Sequence, residues 1–166
     1  MVFDPNCELC PLCKGATNVC LPGGQRVDTD RPPKLMVVVD YPSVSEDGNG
    51  DSFSDQPLLD KLLFEILEIP IEDIYFTYLA KCRPVGTLSS SANFVVCRDN
   101  YLMEEIRLVD PQCILLVGAD VAECILKKSL KSLRGSVHEW MDRSVIATFS
   151  PNMGRKDPSI LTSIAE

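Results

Sequence analysis

Two hydrophobic periods alternate along this chain. Lys34–Asp40 (KLMVVVD) is an unbroken apolar run of strand length, and Cys113–Val117 (CILLV), closed by Gly118, repeats it. Runs this short and this apolar suit strands covered on both faces, where neither side meets water. Ile74–Leu79 predicts another strand, and Val145–Phe149 a fourth that ends at Ser150–Pro151. Elsewhere the apolar spacing lengthens. Pro57–Leu67 sets Leu58, Leu62 and Ile66 on one helical face, and Phe94–Val109 and Val121–Lys128 also read as helices. Leu21–Pro33, Tyr41–Asp55 and Lys81–Ser91 read as loops.

Strands that alternate with helices predict an α/β fold, a three-layer sandwich around a central, mostly parallel four-stranded sheet. The length of 166 residues suits a single domain over 1–166. In such folds ligands bind beyond the carboxyl ends of the strands. The segments to inspect are therefore Asp40–Phe53, Tyr78–Pro84, Gly118–Asp120 and Ser150–Pro158.

Composition narrows the function classes. The net charge is −8, which argues against a strong unspecific grip on nucleic acid, because Lys and Arg contacts to phosphate supply most of that affinity. Binding to DNA is expected to be weak for the chain alone, and an acidic face suits a protein partner. Mean hydropathy is +0.05, and no apolar run approaches the roughly 18 residues of a membrane span. The first residues have no basic stretch followed by an apolar one, so a location inside the cell, in cytoplasm or nucleoid, is expected.

Eight cysteines change the picture more. In a reducing compartment, metal binding or redox chemistry explains them better than disulfides. Cys7 and Cys10 form a C-x2-C pair, Cys82 follows the second strand within Lys81-Cys82-Arg83-Pro84, and Cys97 lies at a helix start. Two thiolates on a short loop plus two distant ones can enclose zinc or a 4Fe–4S cluster, and spacing alone does not choose. Cys13 extends the first pair, but Thr17 stands where a ferredoxin would place its next cysteine. Cys13 and Cys20 read as spare ligands or buried thiols, and Cys113 and Cys124 as small buried hydrophobes.

Read in order, these segments resemble the iron–sulfur class, family 4, of the uracil-DNA glycosylases. Asn6–Thr17 is similar to its opening cysteine segment, with Ala16 where Arg is usual. Leu35–Pro42 followed by Glu46, Asp47, Gly50 and Phe53 resembles its first strand and loop. Asp73–Thr77 and Lys81–Pro84 resemble its second strand and KCRP motif, Cys97 with Tyr101 and Leu102 its cysteine helix, and Pro111–Gly118 its third strand. Arg134-Gly135, Glu139-Trp140, Pro151 and Pro158 resemble its last segments. The resemblance implies a structural 4Fe–4S cluster on Cys7, Cys10, Cys82 and Cys97, with zinc the alternative, tying segment 1–20 to the domain.

It also implies a base-excision site with altered parts. Such chemistry flips a base out of the stack and holds it on an aromatic ring. Phe53 matches the family's stacking ring, and Pro42 its substrate loop. Asp40 stands for the catalytic Glu, one methylene shorter. Tyr78 stands for the Asn that reads the base, and its ring could fill the pocket. Ser150 stands for the catalytic His, and losing one such donor typically costs about 100- to 1000-fold. Of the hydrophobic wedge, Met153 alone remains. The expectation is a catalytically degenerate accessory or scaffold subunit of DNA replication or repair. The competing expectation is a divergent glycosylase that uses Asp40 on uracil or another damaged base.

Overall fold

The computed structural model describes residues 3–86 and 91–152. Three strands with mostly apolar side chains carry it: β1 (Leu35–Val39), β2 (Ile74–Tyr78) and β3 (Cys113–Val117). Each pairs parallel with its neighbour, β1 lying between β2 and β3. Side chains alternate across a strand, so β1 feeds two cores. Met36 and Val38 pack with Ile114, Leu116, Val145 and Ala147 on one face. Val37 and Val39 pack with Ile74, Phe76, Tyr78, Leu115 and Val117 on the other.

Helices cover both faces. The first core is closed by α3 (Ser91–Cys97), α4 (Met103–Val109), α5 (Ala119–Leu126) and α6 (Leu130–Leu133). The second is closed by α2 (Pro57–Asp60) and the wide π-type turns that continue it over Lys61–Ile66. A second wide stretch, Arg98–Leu102, joins α3 to α4 directly after Cys97. This is the predicted three-layer sandwich.

The sheet has five strands among the described residues rather than four, in the order β2-β1-β3, then β5 (Arg143–Thr148), then β4 (His138–Trp140). The addition is β4, antiparallel to β5. Its hairpin turns on Met141 and Asp142, both with positive φ, of 52° and 57°. That geometry is usually signalled by Asn-Gly or Asp-Gly, so Met-Asp concealed it. The segment predicted as loop 41–55 holds a helix, α1 (Val44–Asn49), set by a capping box between Ser43 and Glu46 and ended by Gly50 at φ 72°.

One polar group is sealed inside the first core. The Lys81 ammonium donates to Glu105 Oε2 at 2.8 Å and to Thr77 Oγ1 at 2.9 Å. Thr77 and Tyr75 donate their hydroxyls to the same carboxylate, at 2.6 and 2.9 Å. The two charged side chains are 1% and 3% exposed. Gly23 lies so close that a β-carbon there would meet Glu105 Oε1 at 2.3 Å.

Removing one charge leaves the other buried and unpaired, whereas removing both does not. Glu105→Ala should therefore destabilise the fold by about 3–5 kcal/mol in urea titration. The Lys81→Met/Glu105→Leu double variant should recover most of that loss.

Candidate functional site

Two sites emerge, one around the loop that follows β2 and one beyond the ends of β1 and β3. The first is a recess of thiols. Cys7, Cys10, Cys13 and Cys20 from the N-terminal segment, Cys82 and Cys97 line it together, with Leu12, Lys81 and Tyr101. All four cysteines that the family pattern selects are thus brought to one place, from segments up to 90 positions apart. Cys113 and Cys124 lie elsewhere, on β3 and α5.

Backbone amides point at the sulfurs. Lys81 N–H donates to Cys97 Sγ and Cys20 N–H to Cys82 Sγ, each at 3.2 Å. Tyr101, on the wide turn after Cys97, lines the recess beside Cys7 and Cys20. Burial pushes the Cys82 and Cys97 thiols up to about 12, with neighbouring thiols adding to the rise and amide donors opposing it. Thiols so desolvated ionise only beside a strong cation, and a bound metal supplies one. The donor set is therefore chemically suited to a metal group. No three His, Cys, Asp or Glu side chains among the described residues are grouped so as to hold a single ion.

Asp47 on α1 joins the two halves of this recess, a role the sequence reading did not assign. Its carboxylate accepts from Thr17 N at 2.9 Å, from Asn18 N at 3.1 Å and from Arg83 Nε at 3.2 Å. The N-terminal cysteine segment and the KCRP loop thus hang on one buried side chain. Burial pulls its pKa up, but the Asn18 and Thr17 amides and the Arg83 guanidinium outweigh this and hold it below the usual carboxylate value.

The second site lies where the order of strands reverses, beyond β1 and β3. Asp40, Gln56, Ser150, Pro151 and Asn152 line a small pocket with Val39, Leu59 and Val117. Gly118, at φ 110°, brings the start of α5 to the Ser150 side chain, 3.9 Å from its own β-carbon position. Asp40 and Ser150 are therefore neighbours, as their strand-end positions predict. Burial pushes the Asp40 carboxyl above its usual range, and the charges of Asp120 and Glu46 push the same way, against amide donors at Tyr41 and Asp40 itself. Gln56 is a pocket residue that periodicity did not single out. Its Nε2 is held 3.1 Å from both oxygens of Glu46. A wider groove, lined by Phe94, Asp120, Cys124 and Lys127 between α3 and α5, shares none of the candidate catalytic positions.

Phe53 and Tyr78 do not face this pocket as an open pair. Their rings lie on each other, centroids 4.1 Å apart and planes 10° from parallel. Phe53 is 4% exposed and Tyr78 fully buried. Phe53 N–H donates to the Tyr78 hydroxyl at 2.9 Å, from a left-handed backbone at φ 60°. Burial and the nearby Glu46 carboxylate hold Tyr78 protonated far above its usual range. Glu46 also accepts from Ser43 N at 2.8 Å and sits fully buried. Pro42 is buried at the start of this loop. Met153 and Pro158 fall outside the described residues.

Comparison with known proteins gives these sites a family. A family model described as the uracil DNA glycosylase superfamily matches residues 27–159. The type-4 uracil-DNA glycosylase of Thermotoga maritima is 30% identical over 153 residues, which span 88% of this chain and 76% of that protein. That of Saccharolobus solfataricus is 28% identical over 142 residues, 81% of this chain and 63% of its own length. That of Sulfurisphaera tokodaii is 25% identical over 173 residues, 97% and 76% respectively.

A carboxylate with a depressed folded pKa stabilises above its unfolded pKa and ceases to as pH falls through the folded value. Asp47 should follow this sign. Asp47→Asn should cost about 1–3 kcal/mol at neutral pH. The wild-type advantage should shrink as pH drops below about 4, measured by urea denaturation of both proteins across that range.

Proposed function

This chain belongs to the uracil DNA glycosylase superfamily, and from that premise we propose that it is a cluster-bearing member whose base slot is closed, working as an accessory or scaffold subunit in DNA replication or repair. The observation that carries this reading is the Phe53–Tyr78 stack. Excision of a flipped base needs a free aromatic face and an amide edge to read it. Here a phenol ring covers the Phe53 face, and a Tyr offers no paired donor and acceptor. Ser150 adds a second loss, since a hydroxyl is a weaker partner than an imidazole for a leaving anion. The net charge of −8 also suits a protein partner better than an unspecific hold on DNA.

The cofactor in this reading is a 4Fe–4S cluster on Cys7, Cys10, Cys82 and Cys97. Relatives named type-4 uracil-DNA glycosylases support it, as do the amide donors aimed at sulfur. Thiolate ligands suit zinc as well, which stays the alternative. When bound, such a cluster supplies a covalent staple between the N-terminal segment and the loop after β2. The chain's own residues orient it: Asp47 through Thr17, Asn18 and Arg83, and Lys81 through its buried pair with Glu105.

A second reading rests on Gln56. It brings an amide into the pocket that holds Asp40 and Ser150, so a divergent glycosylase could read a base there. Its Nε2 is engaged with Glu46, which leaves the carbonyl as the free edge.

Incubation with single-stranded uracil DNA followed by alkali should give no strand cleavage above background. Robust turnover that disappears in Asp40→Ala would establish the second reading instead. Anaerobically purified protein should contain iron and acid-labile sulfide, and stoichiometric zinc without sulfide would remove the cluster. Affinity capture should recover a replication or repair protein in fixed ratio; a monomer with no partner and no DNA affinity contradicts the accessory role.

A further inference from the structure

Burial divides the thiol recess differently from the family spacing. Cys7, Cys82 and Cys97 are 8%, 6% and 7% exposed, and Cys20 only 1%, whereas Cys10 is partly open. By position inside the recess, Cys20 sits with the three deep ligands and Cys10 sits at the rim. We propose that Cys20 is a reserve ligand: five thiols serve four cluster positions, and Cys20 takes the place of Cys10 when Cys10 is lost. This rests on the cluster reading given above.

The local chain holds Cys20 against Cys82. Cys20 N–H donates to Cys82 Sγ at 3.2 Å, and the next amide, Leu21 N–H, donates to Lys81 O at 2.8 Å. The Cys20 sulfur itself accepts from Asp4 N–H at 3.4 Å, the kind of amide contact that suits a thiolate. Asp4 also anchors the turn that precedes Cys7, where Cys7 N–H donates to Asp4 O at 3.0 Å. The N-terminal segment therefore folds back so that its first and last cysteines approach the KCRP loop together.

Backbone strain marks the same residue. Cys20 has φ 55°, a left-handed conformation in which a β-carbon is disfavoured. Glycine would occupy that conformation freely, so the position carries a thiol at a conformational cost. Strain of this kind persists where the surrounding structure fixes it, and it gathers at functional sites. Cys13, which lines the recess too, does not share these features. Its thiol turns back to donate to Cys10 O at 3.1 Å within the short helical turn Pro11–Lys14.

The test uses the full chain, purified without oxygen, with iron, acid-labile sulfide and visible circular dichroism as readouts. Far-ultraviolet circular dichroism monitors folding of each variant. Cys10→Ala should keep its full iron and sulfide, with a shifted visible dichroism that reports the exchanged ligand. Cys20→Gly, chosen because glycine fits the backbone, should keep the cluster and the wild-type spectrum. The Cys10→Ala/Cys20→Gly double variant should lose the cluster, as Cys82→Ala does, while Cys13→Ala keeps it.

Loss of the cluster in Cys10→Ala alone overturns the reserve role, as does its retention in the double variant. Loss in Cys20→Gly alone also overturns it, making Cys20 an obligatory ligand. Wild-type protein without iron and sulfide overturns the cluster reading itself, which separates that failure from the failure of the ligand exchange.

Discussion

An ammonium buried in the core is the constraint that sets this molecule's functional end. Lys81 cannot reach solvent, so its charge must be met where it lies, by Glu105 of α4 and Thr77 of β2. That pairing fixes where the chain leaves β2. The Lys81 backbone then does the rest: its N–H meets Cys97 Sγ, and its carbonyl receives Leu21 N–H. One residue thereby aligns the second strand, the cysteine helix and the N-terminal segment. The ion pair need not add net stability, since a buried pair and an apolar substitute of similar volume are often close in energy. Its effect is on where the thiol-bearing loop sits.

The parts of the fold that were legible in the sequence are those with a long, single signal. β1 and β3 are apolar throughout because both faces are covered, and their ends were read almost to the residue. What escaped was short or carried by contacts. α1 spans six residues of mostly polar composition, and only Ser43 with Glu46 announces it. β4 spans three residues behind a Met-Asp turn that has none of the usual glycine. Asp47 and Gln56 gained their places through partners 29 to 36 and 10 positions away, which no periodicity reports. The thiol set was legible because cysteine is rare and its spacing chemically restrictive. The depth of Cys20 was not, because burial within a recess depends on how three segments fold together.

The two sites also differ in what holds them. The recess is tied by Asp47, by amides directed at sulfur and by the Lys81 loop, contacts that are indifferent to excision chemistry. The polar lining of the pocket at the strand ends, Asp40, Gln56 and Ser150, lies outside both hydrophobic cores. Gly118 packs beside Ser150 without a side chain, so no core contact on that side dictates which side chain stands there. In the proposed reading, fold and thiol recess therefore persist while the catalytic positions change.

In the same reading, Tyr78 shows why such a change is easily kept. A base-reading amide at the end of β2 must face a slot that is empty between substrates, and a buried amide without partners costs roughly 1–3 kcal/mol. A tyrosine at the same place fills the slot, gains about 0.5–1.5 kcal/mol from a stacked ring beyond its buried area, and satisfies the Phe53 amide with its hydroxyl. The nearby Glu46, a buried carboxylate that accepts from Ser43 N and Gln56 Nε2, keeps the phenol neutral. Each contact that makes Tyr78 a good core residue removes part of a base site. Stability and excision therefore pull this position in opposite directions, and the stacked, hydrogen-bonded Tyr78 serves stability.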